Sequence, residues 1–179
     1  MNIPDIIEKF DRYLNEHHQN FSAIIVGGAA LSLLRVTSRV TNDIDVLNPN
    51  VLPEKVGLLT KEFALQNNLP ESWINCGPSD VSTFLPEGWM ARTRKIFSGK
   101  NLELITLGHG DLILTKCWAY CDRQRDLEDI VAMSPTINEL KAAREWLKPL
   151  DSHPGWPDYV DKAMSILEKS CEKTLRLEP

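Results

Sequence analysis

The sequence predicts an α+β protein, with a strand-and-helix N-terminal half followed by an all-helical C-terminal third. Three observations carry this. Residues 21–47 run from a short apolar strand through a glycine pair into a helix, then through a polar loop into a second strand. Residues 94–107 hold two short apolar runs separated by Ser98-Gly99-Lys100-Asn101, the pattern of a β-hairpin. Beyond Gly108 the apolar residues recur at helical spacing.

The elements follow in chain order. Ile3, Ile6, Ile7, Phe10, Tyr13 and Leu14 share one face of a helix over residues 3–16, with Pro4 in its first turn. His17 to Asn20 form a polar link. Phe21 to Val26 are a strand with Ala-Ile-Ile-Val at its heart. Gly27-Gly28 turns this strand into a helix through about Leu34. Residues 37–42 are polar and loop-like, and residues 43–47 are the next strand, ended by Asn48-Pro49-Asn50. Val56, Leu59, Phe63 and Ala64 mark a helix over about 53–67. Residues 68–92 carry turn signals, Gly77-Pro78-Ser79-Asp80 and Pro86-Glu87-Gly88, around a short apolar run at 81–85. The hairpin pairs residues 94–97 with 102–107. Helices are then predicted at 111–120, at 125–133, from a Thr136/Glu139 capping box through Leu147, and at 157–173. The inner boundary falls near Gly108. It divides residues 1–108, an α/β core with an N-terminal helix, from residues 109–179, a helical region expected to pack on that core.

Composition bounds the function classes. The 179 residues, 42% hydrophobic and 25% charged, are those of an ordinary globular protein. No apolar run approaches the roughly 20 residues a membrane span needs, and no secretory signal is evident, so a cytoplasmic protein with no membrane partner is expected. The net charge of −5 argues against a protein that coats nucleic acid non-specifically. The basic clusters, Arg92, Arg94, Lys95 and Lys100 in one group and Arg35 and Arg39 in another, read as solvated surface or as phosphate contacts. Cys76, Cys117, Cys121 and Cys171 are scattered and read as reduced thiols. Cys117 and Cys121, four apart near His109, fit buried free cysteines better than a zinc site, because Leu114 and Trp118 make their setting apolar. Most of the five tryptophans belong in a core, while Trp73 and Trp89, in the irregular segment, are candidates to line a pocket or stack a base.

The chemistry concentrates between Gly27 and Asp45. Side chains alternate along a strand, so Asp43 and Asp45 share a face. Two carboxylates so close repel unless a cation lies between them. Mg²⁺ (or Mn²⁺) takes oxygen ligands, and Mg²⁺ is commonly held by one or two carboxylates plus phosphate oxygens. Gly27 and Gly28 allow close backbone approach to a ligand, and the helix start that follows favours anions. Together these residues predict a site for a metal and a nucleoside triphosphate. Solvent-facing aspartates and packing glycines are the plainer alternatives.

Gly27-Gly28 and the string Arg39-x-Thr41-x-Asp43-Ile44-Asp45 resemble the nucleotidyltransferase fold of the DNA polymerase β superfamily. Within it they resemble the minimal prokaryotic nucleotidyltransferases, including the abortive-infection toxin type. Lys116 with Arg125, Asp126 and Asp129 is similar to a downstream element of those proteins, and the resemblance spans roughly residues 21–133. It implies a small mixed sheet flanked by helices, followed by a C-terminal helical bundle. It also implies metal-dependent transfer of a nucleoside monophosphate to a hydroxyl on RNA, protein or a small molecule. Asp43 and Asp45 would be catalytic and hold the metal, and Gly27, Gly28, Arg39, Thr41 and Lys116 would bind the nucleotide. Arg39 is as apt to pair with a local carboxylate, Lys116 to be a surface lysine, and the Arg125–Asp129 group to be a charge cluster within one helix. Such enzymes carry a third carboxylate on a neighbouring strand. Glu103 is the first candidate and Asp80 the second. If neither serves, the chain is a weak or inactive binding module, such as a toxin–antitoxin component acting through a partner protein.

Overall fold

Helix α1 (Ile3–Glu16) starts at Asn2, whose side-chain oxygen accepts from the Asp5 amide, and buries Ile3, Ile6, Ile7, Phe10, Tyr13 and Leu14 along one face. The computed structural model describes residues 2–175, with side chains to Lys173, and divides into two units between Gly108 and His109.

In the first unit α1 leads through β1 (Phe21–Val26), α2 (Gly27–Leu33), β2 (Ile44–Asn48), α3 (Glu54–Gln66) and β3 (Ile74–Asn75). Two 3₁₀ segments, Gly77–Thr83 and Trp89–Arg92, precede β4 (Arg94–Ser98) and β5 (Leu102–Thr106). The strands form one mixed sheet in the order β3-β2-β1-β5-β4. β1 is antiparallel to β2 and parallel to β5, β2 is parallel to β3, and β4 is antiparallel to β5. The predicted α+β class and mixed sheet are therefore what the chain adopts.

Strand alternation assigns the two faces of the sheet. Ala23, Ile25, Ile44, Val46, Leu102 and Leu104 join α1, Val56, Leu59 and Phe63 of α3, and Ala29 and Ala30 of α2 in one core. Asp45 and Glu103 fall on the opposite face. Residues 68–92 depart from the sequence expectation. Ile74 and Asn75 form a two-residue strand, and the apolar run at 81–85 begins within 3₁₀ structure. Trp73 is no base-stacking residue. It is fully buried, meets Phe10 and Phe63 at ring-centroid distances of 5.1 and 5.3 Å, and donates its indole N–H to the Thr60 carbonyl at 3.0 Å. Trp89 is buried as well.

One polar contact ties α1 to the hairpin. The Asp11 carboxylate accepts the backbone N–H groups of Lys100, Asn101 and Leu102 at 3.0, 2.8 and 2.8 Å. Burial pushes the Asp11 carboxyl up, but the three amides, with Arg12 nearby, bring it below its ordinary value. A side chain at residue 99 would run into this carboxylate, which accounts for Gly99 in the turn.

The second unit comprises α4 (His109–Arg123), α5 (Leu127–Ala132), α6 (Ile137–Leu147) and α7 (Trp156–Leu175). α4, α6 and α7 pack on one another through Ile113, Cys117, Leu140, Ala143, Leu147, Val160, Met164 and Leu167. The capping box forms: the Thr136 hydroxyl accepts from the Glu139 amide at 3.2 Å, and the Glu139 carboxylate accepts from the Thr136 amide at 2.8 Å. All four cysteines are free. Burial pushes up the Cys117 thiol, helped by its neighbours Cys121 and Cys171, and raises Cys121 to about 11. No helix among the described residues is long and apolar enough to cross a membrane.

Candidate functional site

The turn from β1 into α2 and the start of β2 lie directly against each other. Register sets this up, because Val26 at the end of β1 pairs with Asp45 on β2. Gly27 therefore sits over the Asp45 carboxylate. A Cβ at Gly27 would stand 2.7 Å from Asp45 Oδ2, closer than any side chain tolerates. Gly27 also has φ +74°, a left-handed conformation that disfavours every L side chain. The backbone conformation and the contact with Asp45 thus both favour glycine there.

Gly28 faces the polar loop. A Cβ on it would lie 3.2 Å from Thr41 Cβ and Oγ1 and 3.6 Å from Arg39 Nη2. The Thr41 hydroxyl donates to Asp43 Oδ1 at 3.1 Å. Asp43 precedes β2 by one residue and is exposed, whereas Asp45 lies within the strand and is half-buried. The sequence expectation that both aspartates belong to the strand is thus one residue too early at its start. Gly27, Gly28, Arg39, Thr41, Asp43 and Asp45 are nonetheless brought together at one end of β2. Thr41 spends its single hydroxyl proton on Asp43 and so orients that carboxylate.

Sequence reasoning missed Asn75. It pairs with Asp45 across the β2–β3 ladder, and its Nδ2 donates to Asp45 Oδ1 at 3.2 Å. Its Oδ1 accepts the Gly77 N–H at 2.9 Å. A backbone N–H can only donate, so the amide orientation follows: oxygen toward Gly77, NH₂ toward Asp45. The signal in the sequence is slight, an Asn two residues before the Gly77-Pro78 turn.

The two candidates for a third carboxylate stand elsewhere. Glu103 is on the same sheet face as Asp45 but pairs with Ser22, at the opposite end of β1 from Val26. Four residues at about 3.3 Å each separate those ends, roughly 13 Å along the strand, and Glu103 on β5 is two strands across from Asp45 on β2. Its carboxylate contacts Lys95 and accepts from Ser22 at 3.5 Å. The expectation that Glu103 adjoins the aspartate pair is therefore corrected. Asp80 is exposed in the first 3₁₀ segment. The group beside Asp45 on the neighbouring strand is the amide of Asn75.

Lys116 belongs to the second unit. Its ammonium lies 2.7 Å from Asp126 Oδ1 and 2.6 Å from Asp129 Oδ2, and all three residues are buried. Arg123 adds a contact to Asp126 at 3.1 Å. Burial pushes the Asp126 carboxyl up, but Lys116 and then Arg123 draw it below its ordinary value. Lys116, Asp126 and Asp129 thus come together as a buried ion group, whereas the resemblance gave Lys116 a place on the nucleotide. The surface-lysine alternative is overturned by this burial, and Arg125 remains exposed. Among the described residues, no group of three or more His, Cys, Asp or Glu side chains is arranged to hold a metal. His109 instead faces Glu139 at 3.9 Å.

Comparison with known proteins bears on this arrangement. No curated protein and no solved structure matches the chain. A family model described as "Nucleotidyltransferase of unknown function (DUF6036)" matches residues 2–141, about four fifths of the sequence. That span takes in the glycine bend, both aspartates, Asn75 and the Lys116 triad. The chain belongs to this family of nucleotidyltransferases of unknown function.

Proposed function

We propose that the chain transfers a nucleoside monophosphate from a nucleoside triphosphate to a hydroxyl acceptor, using a divalent cation held by Asp43 and Asp45. The observation that carries the reading is the gathering of Gly27, Gly28, Thr41, Asp43 and Asp45 at one end of β2, with Gly27 directly against Asp45 Oδ2. Glycine backbone next to two carboxylates suits a ligand whose phosphate oxygens meet both main-chain amides and a shared cation. The donor set suits Mg²⁺ or Mn²⁺, which take carboxylate oxygens. When bound, such an ion supplies positive charge to the triphosphate and to the pyrophosphate that leaves.

The remaining roles follow from placement. Thr41 and Asn75 orient Asp43 and Asp45 respectively, through hydrogen bonds of 3.1 and 3.2 Å. Arg39, whose guanidinium lies near Gly28, is read as a phosphate contact. Lys116 is read as a structural ion in the second unit and takes no part in nucleotide binding. Glu103 is read as a surface partner of Lys95.

Two measurements test this. Mg²⁺ with nucleoside triphosphates should raise the melting temperature of the wild type and leave Asp43→Asn and Asp45→Asn unshifted. Label from an α-³²P nucleoside triphosphate should then appear in RNA, in protein or in a small-molecule acceptor. Equal shifts in wild type and both variants would overturn the metal role. A second reading, nucleotide binding without transfer, is favoured by the amide at Asn75 in place of an acid. It predicts the same thermal shift with no label transferred to any acceptor, including a partner protein supplied as a toxin–antitoxin complex.

A further inference from the structure

We infer that Asn75 is a positioning residue that restricts the Asp43/Asp45 site to a single divalent cation. The inference rests on the metal-binding reading above and refines it.

Three facts on β2 and β3 lead here. The ladder places Asn75 directly beside Asp45, so no other side chain on β3 is better aimed at that carboxylate. The Gly77 N–H fixes the amide with its NH₂ toward Asp45 Oδ1. A Cβ at Gly77 would stand 2.9 Å from Asn75 Oδ1, so the turn that holds the amide is itself built tightly around it. A flip that presented the amide oxygen to a cation on the Asp45 side would lose the Gly77 hydrogen bond and turn the NH₂ group toward the Gly77 N–H.

The chemical consequence is specific. Asp45 Oδ1 is engaged by a hydrogen-bond donor. A cation shared with Asp43 would reach Asp45 from the side away from Asn75, where Oδ2 faces Gly27, and would meet the exposed Asp43 carboxylate. A second cation on the Asn75 side would meet an N–H₂ group, which repels it, where a carboxylate would attract it. An aspartate at position 75 would put an oxygen 3.2 Å from Asp45 Oδ1. Two such oxygens repel one another unless a cation bridges them, so this one substitution should create the second site.

The test is equilibrium dialysis of the full chain against Mn²⁺ with inorganic triphosphate. Free Mn²⁺–triphosphate is then equal on both sides, and the excess on the protein side counts bound metal. The wild type should hold one Mn²⁺ per chain and Asn75→Asp two. Asn75→Ala should hold one with affinity about 10- to 100-fold weaker, because Asp45 loses the group that orients it. Two Mn²⁺ on the wild type would overturn this inference and leave the metal site standing. One Mn²⁺ on Asn75→Asp, with its fold verified by circular dichroism, would overturn it equally. No Mn²⁺ on the wild type would overturn the metal-binding reading itself.

Discussion

Replacing Gly27 with alanine tests the tightest contact in the first unit. The cost has two independent parts. The first is backbone: at φ +74° an L residue pays about 1–2 kcal/mol for its Cβ. The second is steric. The new methyl would stand 2.7 Å from Asp45 Oδ2, so the carboxylate must turn away. Turning strains its rotamer, about 0.5–1.5 kcal/mol, and breaks the 3.2 Å bond from Asn75. That bond is charge-assisted, but Asp45 is half-buried and water partly replaces the donor, so about 1 kcal/mol is a fair value. The sum is about 3.5 kcal/mol, a fall of roughly 7–14 °C in Tm for a chain of this length melting cooperatively. Gly28→Ala should cost under about 1 kcal/mol, because Thr41 at 3.2 Å can yield by a few tenths of an ångström and no positive φ is involved. The decisive assay is a double-mutant cycle by thermal or urea melting. In an Asp45→Ala background, Gly27→Ala should keep only its backbone cost, giving a coupling energy of about 1.5–2.5 kcal/mol. An identical cost in both backgrounds would show that the carboxylate does not lie against Gly27.

Further predictions concern the rest of the chain. Lys116→Met leaves Asp126 and Asp129 buried without their cation and should cost about 3–5 kcal/mol in urea melts, largely recovered when both aspartates are also made leucine. If Lys116→Met melts like the wild type yet loses the Mg²⁺–triphosphate shift, the lysine serves the nucleotide after all. Asp11, held below its ordinary value near 3.8, stabilises the fold above that pH. The contribution is lost as pH falls through the lowered folded value. Asp11→Asn should therefore be less stable than the wild type at pH 7, with the difference closing in melts taken below the lowered folded value. Cys117 and Cys121, raised by burial, should resist iodoacetamide at pH 8 in the native protein and react fully in guanidinium, as read by mass spectrometry.

Much of the architecture is legible from local pattern. The period-3.6 face of α1, the run Phe21 to Val26, the hairpin turn at Gly99 and the Thr136/Glu139 capping box are signals contained within a few residues, and each element forms where expected. The nearness of Gly27 to Asp45 is also local in origin, since a strand, a tight turn and an antiparallel return bring such residues together. What escapes is set by pairing between distant segments. β3 is two residues long and has no periodicity to read, so Asn75 is invisible until its ladder with Asp45 is known. Glu103 lies on the right face, but alternation says nothing about which end of β1 it reaches, and register places it beside Ser22. Lys116 is 10 and 13 residues from its partners, beyond the i,i+4 spacing at which helical ion pairs are recognised. Trp73 sits among turn residues, and the rings it packs on, Phe10 and Phe63, lie in other elements of the chain.

The most direct test of the metal role of Asp43 and Asp45 is anomalous diffraction from a crystal soaked with Mn²⁺ and a non-hydrolysable nucleoside triphosphate. A peak within bonding distance, about 2.0–2.2 Å, of both carboxylates, with the phosphates against Gly27 and Gly28, is the predicted result. A triphosphate bound elsewhere, or bound at the glycine bend with no manganese on either aspartate, would contradict it.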